Sequence, residues 1–157
     1  MAKTTRATQA LDRAGIPYSL HAYAYDADAP RIGLQAAEAL GVPPGAVLKT
    51  LMAAVDGRTV CLLVASDREV GMKRVAAAFS GKSAFMLKPA DAERITGYVV
   101  GGISPLGQKR PVPTAIDAGS IAAGGDIHVN GGARGLQIRI AVADLVSVLG
   151  AQVVPLA

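Results

Sequence analysis

Two features of this sequence could serve a reaction, a lysine in an apolar stretch and a segment rich in glycine and proline. Lys49 interrupts the apolar run Val47–Val55, where a buried ammonium group is costly, so we expect it to reach solvent or meet an anion. The segment Gly97–Thr114 reads GYVVGGISPLGQKRPVPT, so its backbone could approach a ligand closely in a stiff loop. Within it, Lys109 and Arg110 suit a phosphate-bearing partner. An ordinary surface turn is the alternative.

Two further segments could border a site. Alternation in the predicted strand Pro17–Tyr25 puts His21, Tyr23 and Tyr25 on one polar face, which could line a pocket, although the solvated face of an edge strand is the simpler interpretation. The segment Asn130–Gly135 reads NGGARG, a tight turn rich in positive-φ candidates that could also wrap a ligand.

Familiar catalytic machinery is missing from the sequence. The single cysteine, Cys61, stands in an apolar run, so we predict a buried inert thiol, no intrachain disulfide and a reducing cytoplasm. Two histidines without a nearby carboxylate cluster argue against a metal site. A P-loop is excluded because Ala76 stands where its first glycine is needed, and no G-x-S-x-G or G-x-G-x-x-G motif occurs. We therefore predict no cofactor and a reaction that depends on positioning, as with an activated ester.

The helices and strands that carry these residues are predicted from the apolar periodicity. We predict helices over Thr5–Ala14, Gly33–Leu40, Met72–Phe79, Ala90–Ile95 and Val142–Leu149, and strands over Pro17–Tyr25, Val47–Val55, Thr59–Ala65, Ala84–Leu87, Thr114–Asp117, Asp126–Val129 and Leu136–Ala141. Hairpins outnumber strand-helix-strand units, which favours an α+β fold with a mixed, mostly antiparallel sheet flanked by short helices.

Length and charge restrict the class of protein. The 157 residues fit a single compact domain, residues 1–157, and no apolar run is long enough to cross a bilayer. We expect a soluble cytoplasmic protein without a signal segment. The net charge of +4 permits an anionic partner such as RNA but does not by itself indicate one.

Three segments together resemble the YbaK family of trans-editing proteins. They are Lys49-Thr50-Leu51, the long block Thr96–Lys109 (TGYVVGGISPLGQK), and Gly131–Leu136 (GGARGL). The resemblance extends from the first predicted helix to the last. It implies a compact α+β fold related to the editing domain of prolyl-tRNA synthetase, and hydrolysis of the ester that joins cysteine to a mischarged proline tRNA. It also implies an association with aminoacyl-tRNA and, in some members, with prolyl-tRNA synthetase.

The resemblance also implies roles for individual residues. Lys49 matches the essential lysine, and the backbone N–H groups of Gly101 and Gly102 are expected to meet the ester carbonyl. The family is thought to use the substrate's own cysteine thiol as nucleophile, releasing a cyclic thiolactone. The expected aminoacyl-binding residues are Tyr23, Ile32, Thr50, Ser104, Pro105, Gly131, Gly132 and Gln137, and the expected tRNA contacts are Lys109, Arg110 and Arg134.

Two positions depart from the pattern that the resemblance leads us to expect. Ile32 stands in place of an aromatic pocket residue, and Gln137 stands in place of an aspartate. Each change could alter the free energy by which the site discriminates between amino acids by about 1 to 3 kcal/mol. An Ala-tRNA(Pro) deacylase or a broader aminoacyl-tRNA deacylase is therefore an alternative. A non-catalytic RNA-binding or nucleotide-binding module is a second one.

Overall fold

The computed structural model of the protein describes residues 4–29 and 34–157. Within these ranges the chain forms five α-helices and eight strands. The helices are α1 (Arg6–Ala14), α2 (Gln35–Leu40), α3 (Met72–Ala78), α4 (Pro89–Thr96) and α5 (Val142–Leu149). The strands are β1 (Ser19–Ala22), β2 (Leu48–Val55), β3 (Arg58–Ala65), β4 (Ala84–Met86), β5 (Thr114–Asp117), β6 (Asp126–Asn130), β7 (Leu136–Ala141) and β8 (Gln152–Val154).

The strands form two sheets that meet at one point. The smaller sheet has the order β1-β7-β6 and is antiparallel, whereas the larger has the order β4-β2-β3-β5-β8. In the larger sheet β4, β2 and β3 pair antiparallel, while β5 pairs parallel to both β3 and β8. A parallel bridge between Val47 and His128 joins the sheets at the start of β2. The predicted α+β class with a mixed, mostly antiparallel sheet arrangement is confirmed.

Local chemistry explains several of these elements. The β2–β3 hairpin turns at Asp56 and Gly57, whose φ angles of 49° and 82° are the positive values that a two-residue type I′ turn requires. Helix α1 begins with a reciprocal capping box in which the side chains of Thr5 and Thr8 each accept a hydrogen bond from the other's backbone N–H. Its Leu11 is fully buried in the core between the sheets.

Two predictions about strands need correction. Strand β1 is shorter than the predicted Pro17–Tyr25, because its pairing with β7 runs only from Ser19 opposite Arg139 to Ala22 opposite Leu136. Beyond it, one further backbone bond joins the Tyr23 N–H to the Gly135 carbonyl at 2.8 Å. Strand β8 was not predicted, since its two valines favour an extended conformation but three residues are too few to identify a strand, which is held by parallel pairing to β5. The predicted start of α2 at Gly33 lies outside the described residues. Among the residues described, no helix has the length and apolar character that a membrane crossing needs.

Candidate functional site

A cavity of about 200 Å³ opens where the two sheets meet. It is smaller than the roughly 300–1,000 Å³ typical of pockets for drug-sized ligands, so it suits a group the size of one amino acid. The chain after β1, the start of β2, and strands β6 and β7 contribute to its wall, and the loop after α4 closes one side. Its lining residues are Tyr23, Tyr25, Ala36, Val47, Leu48, Lys49, Thr50, Ser66, Val100, Gly101, Ile103, Asn130 and Gln137.

Lys49 supplies the positive charge of the cavity wall. It lies on β2 opposite Val64, and only 23% of its side chain is exposed. Its Nζ lies 3.4 Å from Oε1 of Glu69, a residue whose side chain is 91% exposed. An ion pair with this long an N···O distance and one partner in solvent contributes little to stability. The ammonium group can therefore turn to an anionic or strongly polar ligand in the cavity.

Thr50 and Gln137 each present a buried polar atom without a partner. Neither Oγ1 of Thr50 nor Oε1 of Gln137 finds a hydrogen-bond partner within residues 4–29 and 34–157. An unsatisfied buried polar atom costs about 1–3 kcal/mol, and such atoms are rare enough that each one needs an explanation. Both residues line the cavity, but the two unpartnered atoms lie just beneath its accessible surface, so a polar ligand reaches them only when the side chain rotates.

The two tyrosines that follow β1 also border the cavity. Burial, with a smaller contribution from Tyr25, raises the pKa of Tyr23 above its ordinary value, against the opposing effect of hydrogen bonds from the Gln137 side chain and the Gly135 backbone. This phenol therefore stays protonated at neutral pH. The alternative interpretation, that this polar face is the solvated face of an edge strand, is therefore wrong for Tyr23 and Tyr25. His21, on the same face of the chain, does not line the cavity; its ring packs edge-on against His128 with centroids 5.5 Å apart.

The loop after α4 reaches the cavity through Val100, Gly101 and Ile103. Gly101 has a φ of 90°, which only glycine adopts readily. The N–H of Gly102 donates to the carbonyl oxygen of Val99 at 2.8 Å, which closes a turn. Of the two glycine N–H groups predicted to face a substrate carbonyl, that of Gly102 is thus already bonded, while that of Gly101 has no acceptor among the described residues.

Several other predicted site residues do not reach the cavity. Ser104 is fully buried, and its Oγ accepts a hydrogen bond from the N–H of Leu106 at 3.2 Å. Pro105 lines a separate cavity of about 200 Å³ between α1, α5 and the loop. Gly131 is buried behind the wall, where its carbonyl accepts a 2.6 Å bond from the Thr5 hydroxyl. Gly132 is half-buried and does not line the cavity either.

The remaining predicted residues lie outside the cavity or outside the described chain. Lys109, Arg110 and Arg134 are exposed, as contacts with a phosphate backbone would require, and none of them lines the cavity. Only Arg134 is close to it, because its Nε donates to the carbonyl of Val100 at 2.9 Å. Ile32 lies outside the described residues.

Among the described residues of the cavity wall, no side chain forms an activated nucleophile with a base. The lining hydroxyls belong to Tyr23, Tyr25, Thr50 and Ser66, and no histidine or carboxylate lines the cavity with them in the described chain. The Ser66 hydroxyl already donates to the carbonyl of Val47 at 2.8 Å. The prediction of a buried inert thiol is confirmed, since burial raises the pKa of Cys61 to about 12. The described residues also contain no group of three or more side chains suited to holding a metal ion.

Sequence reasoning missed several lining residues. Ser66 could have been found from the β2–β3 hairpin, whose register brings the end of β3 back beside the start of β2. Asn130 belongs to the turn that the sequence singled out, and its Nδ2 donates to the carbonyl of Gly101 at 3.2 Å. Val100 and Ile103 belong to the segment Gly97–Thr114 that the sequence singled out, but only the tertiary arrangement shows that these two residues and Ala36 reach the cavity.

Comparison with known proteins places this arrangement in a family. Residues 29–148 match the family model described as the aminoacyl-tRNA editing domain. The chain is 33% identical over 153 residues to an Enterococcus faecalis protein provisionally named Cys-tRNA(Pro)/Cys-tRNA(Cys) deacylase EbsC, covering 94% of this chain and 90% of that one. Proline–tRNA ligase of Acidithiobacillus ferrooxidans is 32% identical over 81 residues, or 52% of this chain and 14% of the ligase.

Solved structures share the fold over nearly the whole chain. A protein provisionally described as a trans-editing enzyme for prolyl-tRNA synthetase superimposes with a TM-score of 0.81 at 23% identity, covering 96% of this chain and 94% of that one. The hypothetical protein APE2540 gives a TM-score of 0.84 at 18% identity, covering 97% and 99%. The YbaK-type resemblance is therefore confirmed, and the chain belongs to the aminoacyl-tRNA editing domain family.

Proposed function

We propose that this protein is an aminoacyl-tRNA deacylase that hydrolyses the ester of mischarged Cys-tRNA(Pro). The observation that carries the proposal is the composition of the cavity wall. Among the described residues it combines the Lys49 cation with two unpartnered polar atoms, on Thr50 and Gln137, and contains no activated nucleophile. Such a site can bind and orient an ester but depends on another group for attack. The name of the Enterococcus faecalis relative supports the same substrate class.

Each polar group of the wall has a role in this proposal. The Lys49 ammonium holds the ribose-phosphate end of the substrate, and the Gly101 N–H donates to the ester carbonyl oxygen as negative charge develops there. The Thr50 hydroxyl and the Gln137 amide bind the polar atoms of the aminoacyl group. Tyr23 stays neutral and closes the side of the cavity next to Gln137.

The substrate's own thiol supplies the nucleophile. After loss of its proton, the cysteine Sγ attacks the ester carbonyl carbon, forming an S–C bond and a tetrahedral intermediate. The intermediate collapses by breaking the C–O bond to the ribose, whose oxygen takes up a proton. The released β-thiolactone then adds water to give free cysteine, so the net reaction is ester hydrolysis. A cysteine thiol has an ordinary pKa of about 8.5, so a useful thiolate fraction exists at neutral pH without a protein base.

The exposed cations Lys109, Arg110 and Arg134 are the proposed contacts to the tRNA backbone. Proline tRNA is the proposed partner, with prolyl-tRNA synthetase as a second partner that could contribute tRNA selectivity. The proposed location is the cytoplasm, where the mischarged tRNA is made.

The test is a panel of purified substrates under single-turnover conditions. Cys-tRNA(Pro), Ala-tRNA(Pro), Ser-tRNA(Pro) and Cys-tRNA(Cys) are each incubated with the protein, and loss of the labelled amino acid is followed. We expect rapid loss of cysteine and slow loss of alanine and serine, since alanine has no nucleophile and a hydroxyl is a poorer one. Inactivity on all four substrates would contradict the deacylase proposal.

The panel also separates the alternatives. Loss of alanine at the rate of cysteine would exclude thiol assistance and indicate attack by water. Equal loss from Cys-tRNA(Pro) and Cys-tRNA(Cys) would mean that the chain does not select the tRNA. Binding without turnover, with a steep dependence on salt, would instead favour a non-catalytic RNA-binding module.

A further inference from the structure

The turn beside the cavity has three backbone groups, on Val100 and Gly101, that are held by three side chains. The Val100 N–H donates to Oε2 of Glu93 at 2.8 Å, and the Val100 carbonyl accepts from Nε of Arg134 at 2.9 Å. The Gly101 carbonyl accepts from Nδ2 of Asn130 at 3.2 Å. These side chains come from α4, the β6–β7 turn and the end of β6, so the orientation of the turn is set by elements distant in the sequence.

Arg134 is tied to this turn more closely than a simple surface cation. Its guanidinium carbon lies 5.5 Å from the ring centroid of Tyr25, which is a cation–π distance. A Cβ added at Gly101 would lie 3.2 Å from Arg134 Nε and 2.8 Å from the Tyr25 hydroxyl oxygen. The Arg134 side chain thus fits between the Tyr25 ring and the Val100–Gly101 peptide, both of which line the cavity. The Arg134 side chain is itself exposed.

Peptide geometry connects this contact to the cavity. In a trans peptide the C=O and the following N–H point in opposite directions. Because the Val100 carbonyl points to Arg134, the Gly101 N–H points away from Arg134. This N–H has no hydrogen-bond acceptor within the described residues, and Gly101 itself lines the cavity.

We propose that Arg134 is a positioning residue for the deacylation reaction. By holding the Val100 carbonyl, it fixes the Val100–Gly101 peptide with the Gly101 N–H turned to the cavity, where that N–H donates to the ester carbonyl oxygen. This inference rests on the proposed function and deepens it. It gives Arg134 a task distinct from the tRNA phosphate contact, because its Nε is occupied by the protein itself. A donor fixed before the substrate arrives stabilises developing charge without further reorganisation.

The first test needs no substrate. In ¹⁵N–¹H correlation spectra of the labelled protein, Arg134→Gln should shift or broaden the amide signals of Val100 and Gly101. Arg139→Gln is the matched control, since Arg139 is an exposed arginine of β7 whose Nε contacts Asp126 and which lies outside the cavity. It removes the same charge and should leave both signals in place. Unchanged Val100 and Gly101 signals in Arg134→Gln would overturn the proposal, whatever the activity of the protein.

The second test separates positioning from phosphate binding with Cys-tRNA(Pro). A displaced donor should lower kcat by about 10- to 100-fold in both Arg134→Gln and Arg134→Lys, with KM within about threefold of wild type. Lysine fails because its single ammonium does not reproduce the guanidinium contact. If Arg134→Lys keeps the wild-type rate, or if Arg134→Gln raises only KM and flattens the salt dependence, the residue acts only as a phosphate contact and the positioning proposal is wrong. A wild-type protein that is inactive while the amide signals shift would contradict the proposed function and leave the positioning of the peptide by Arg134 supported.

Discussion

The Nζ of Lys49 lies 3.4 Å from Oε1 of Glu69, which joins a lysine in the cavity wall to a carboxylate in solvent. The two partners differ in exposure, at 23% for the Lys49 side chain and 91% for that of Glu69. The carboxylate therefore keeps its hydration and binds the ammonium group weakly. A substrate that enters the cavity can displace Glu69 at little cost, which makes the two residues separable by mutation.

We predict that Lys49→Ala lowers the single-turnover rate of deacylation by about 100-fold or more, because it removes the only cation that lines the cavity in the described chain. Glu69→Gln is the matched control and should stay within about threefold of wild type. Both rates are measured as loss of labelled cysteine from Cys-tRNA(Pro). A Lys49→Ala protein that works at nearly the wild-type rate would exclude the proposed role of Lys49.

The unpartnered hydroxyl of Thr50 leads to a prediction with opposite effects on stability and activity. Thr50→Val removes a polar atom that has no hydrogen bond in the described chain, so the free energy of unfolding should stay the same or rise by up to about 1 kcal/mol. The value of kcat/KM should fall, since the hydroxyl is lost to the substrate. Unfolding in urea and single-turnover kinetics measure the two effects.

Thr96→Val is the matched control for this substitution. The Thr96 hydroxyl is fully buried, donates to the Ala92 carbonyl at 2.8 Å and accepts from the N–H of Tyr98 at 3.2 Å. Its loss should therefore lower the free energy of unfolding by about 1–3 kcal/mol. If Thr50→Val is destabilising to the same extent, the Thr50 hydroxyl has a structural partner and its assignment to the site is wrong.

The fold was predictable from the sequence where local signals set the elements. Strands β5 and β7 and helix α5 have the predicted bounds, because apolar periodicity and a following glycine or turn define their ends. The hairpin turn at Asp56 was predictable for the same reason. Strand β8 was not, since its pairing partner β5 is distant in the sequence and nothing within its three residues requires an extended conformation.

The candidate site was predictable only in part. Lys49 stood out because a charge interrupts an apolar strand, and the family resemblance added Thr50 and Gln137. All three line one cavity, while their proposed roles stay predictions. Ser104 and Pro105 belong to the same sequence motif as Gly101, yet they face the interior. Side-chain direction within an irregular loop depends on tertiary contacts such as the bond from the Leu106 N–H to Ser104 Oγ, and no periodicity reports these contacts.

His128 should make stability depend on pH. Its pKa is lowered from 6.5, mainly by burial, then by the positive charges of His21 and Arg139, with Asp126 acting in the opposite direction. In the unfolded chain the group takes up a proton near pH 6.5, whereas in the folded protein it does so only at lower pH. Between these values the unfolded state binds more protons, so the free energy of unfolding falls as pH decreases below about 6.5.

Urea unfolding between pH 5 and 7.5 measures this effect. His128→Gln removes the titrating group, so its stability should change less over that interval than the wild type. His21→Gln keeps His128 and removes one positive neighbour, so its pH dependence should be intermediate. If the free energy of unfolding depends on pH as steeply in His128→Gln as in the wild type, the pH dependence belongs to other groups.

Gly102 lies where two backbones touch, and its substitution should damage the site from within the loop. A Cβ at this position would lie 2.9 Å from the backbone N of Arg134 and 3.0 Å from the carbonyl carbon of Ala133. Backbone atoms cannot move aside as a flexible side chain can, so Gly102→Ala must separate the loop from the β6–β7 turn. We predict a loss of about 1–3 kcal/mol in the free energy of unfolding, together with a lower kcat.

Gly45→Ala is the control, because a Cβ there meets nothing within 4 Å, and it should change stability by less than about 0.5 kcal/mol. Equal stability and activity in the two variants would mean that the loop can leave the turn without cost, and the contact of Arg134 with Val100 could then not orient the Gly101 N–H.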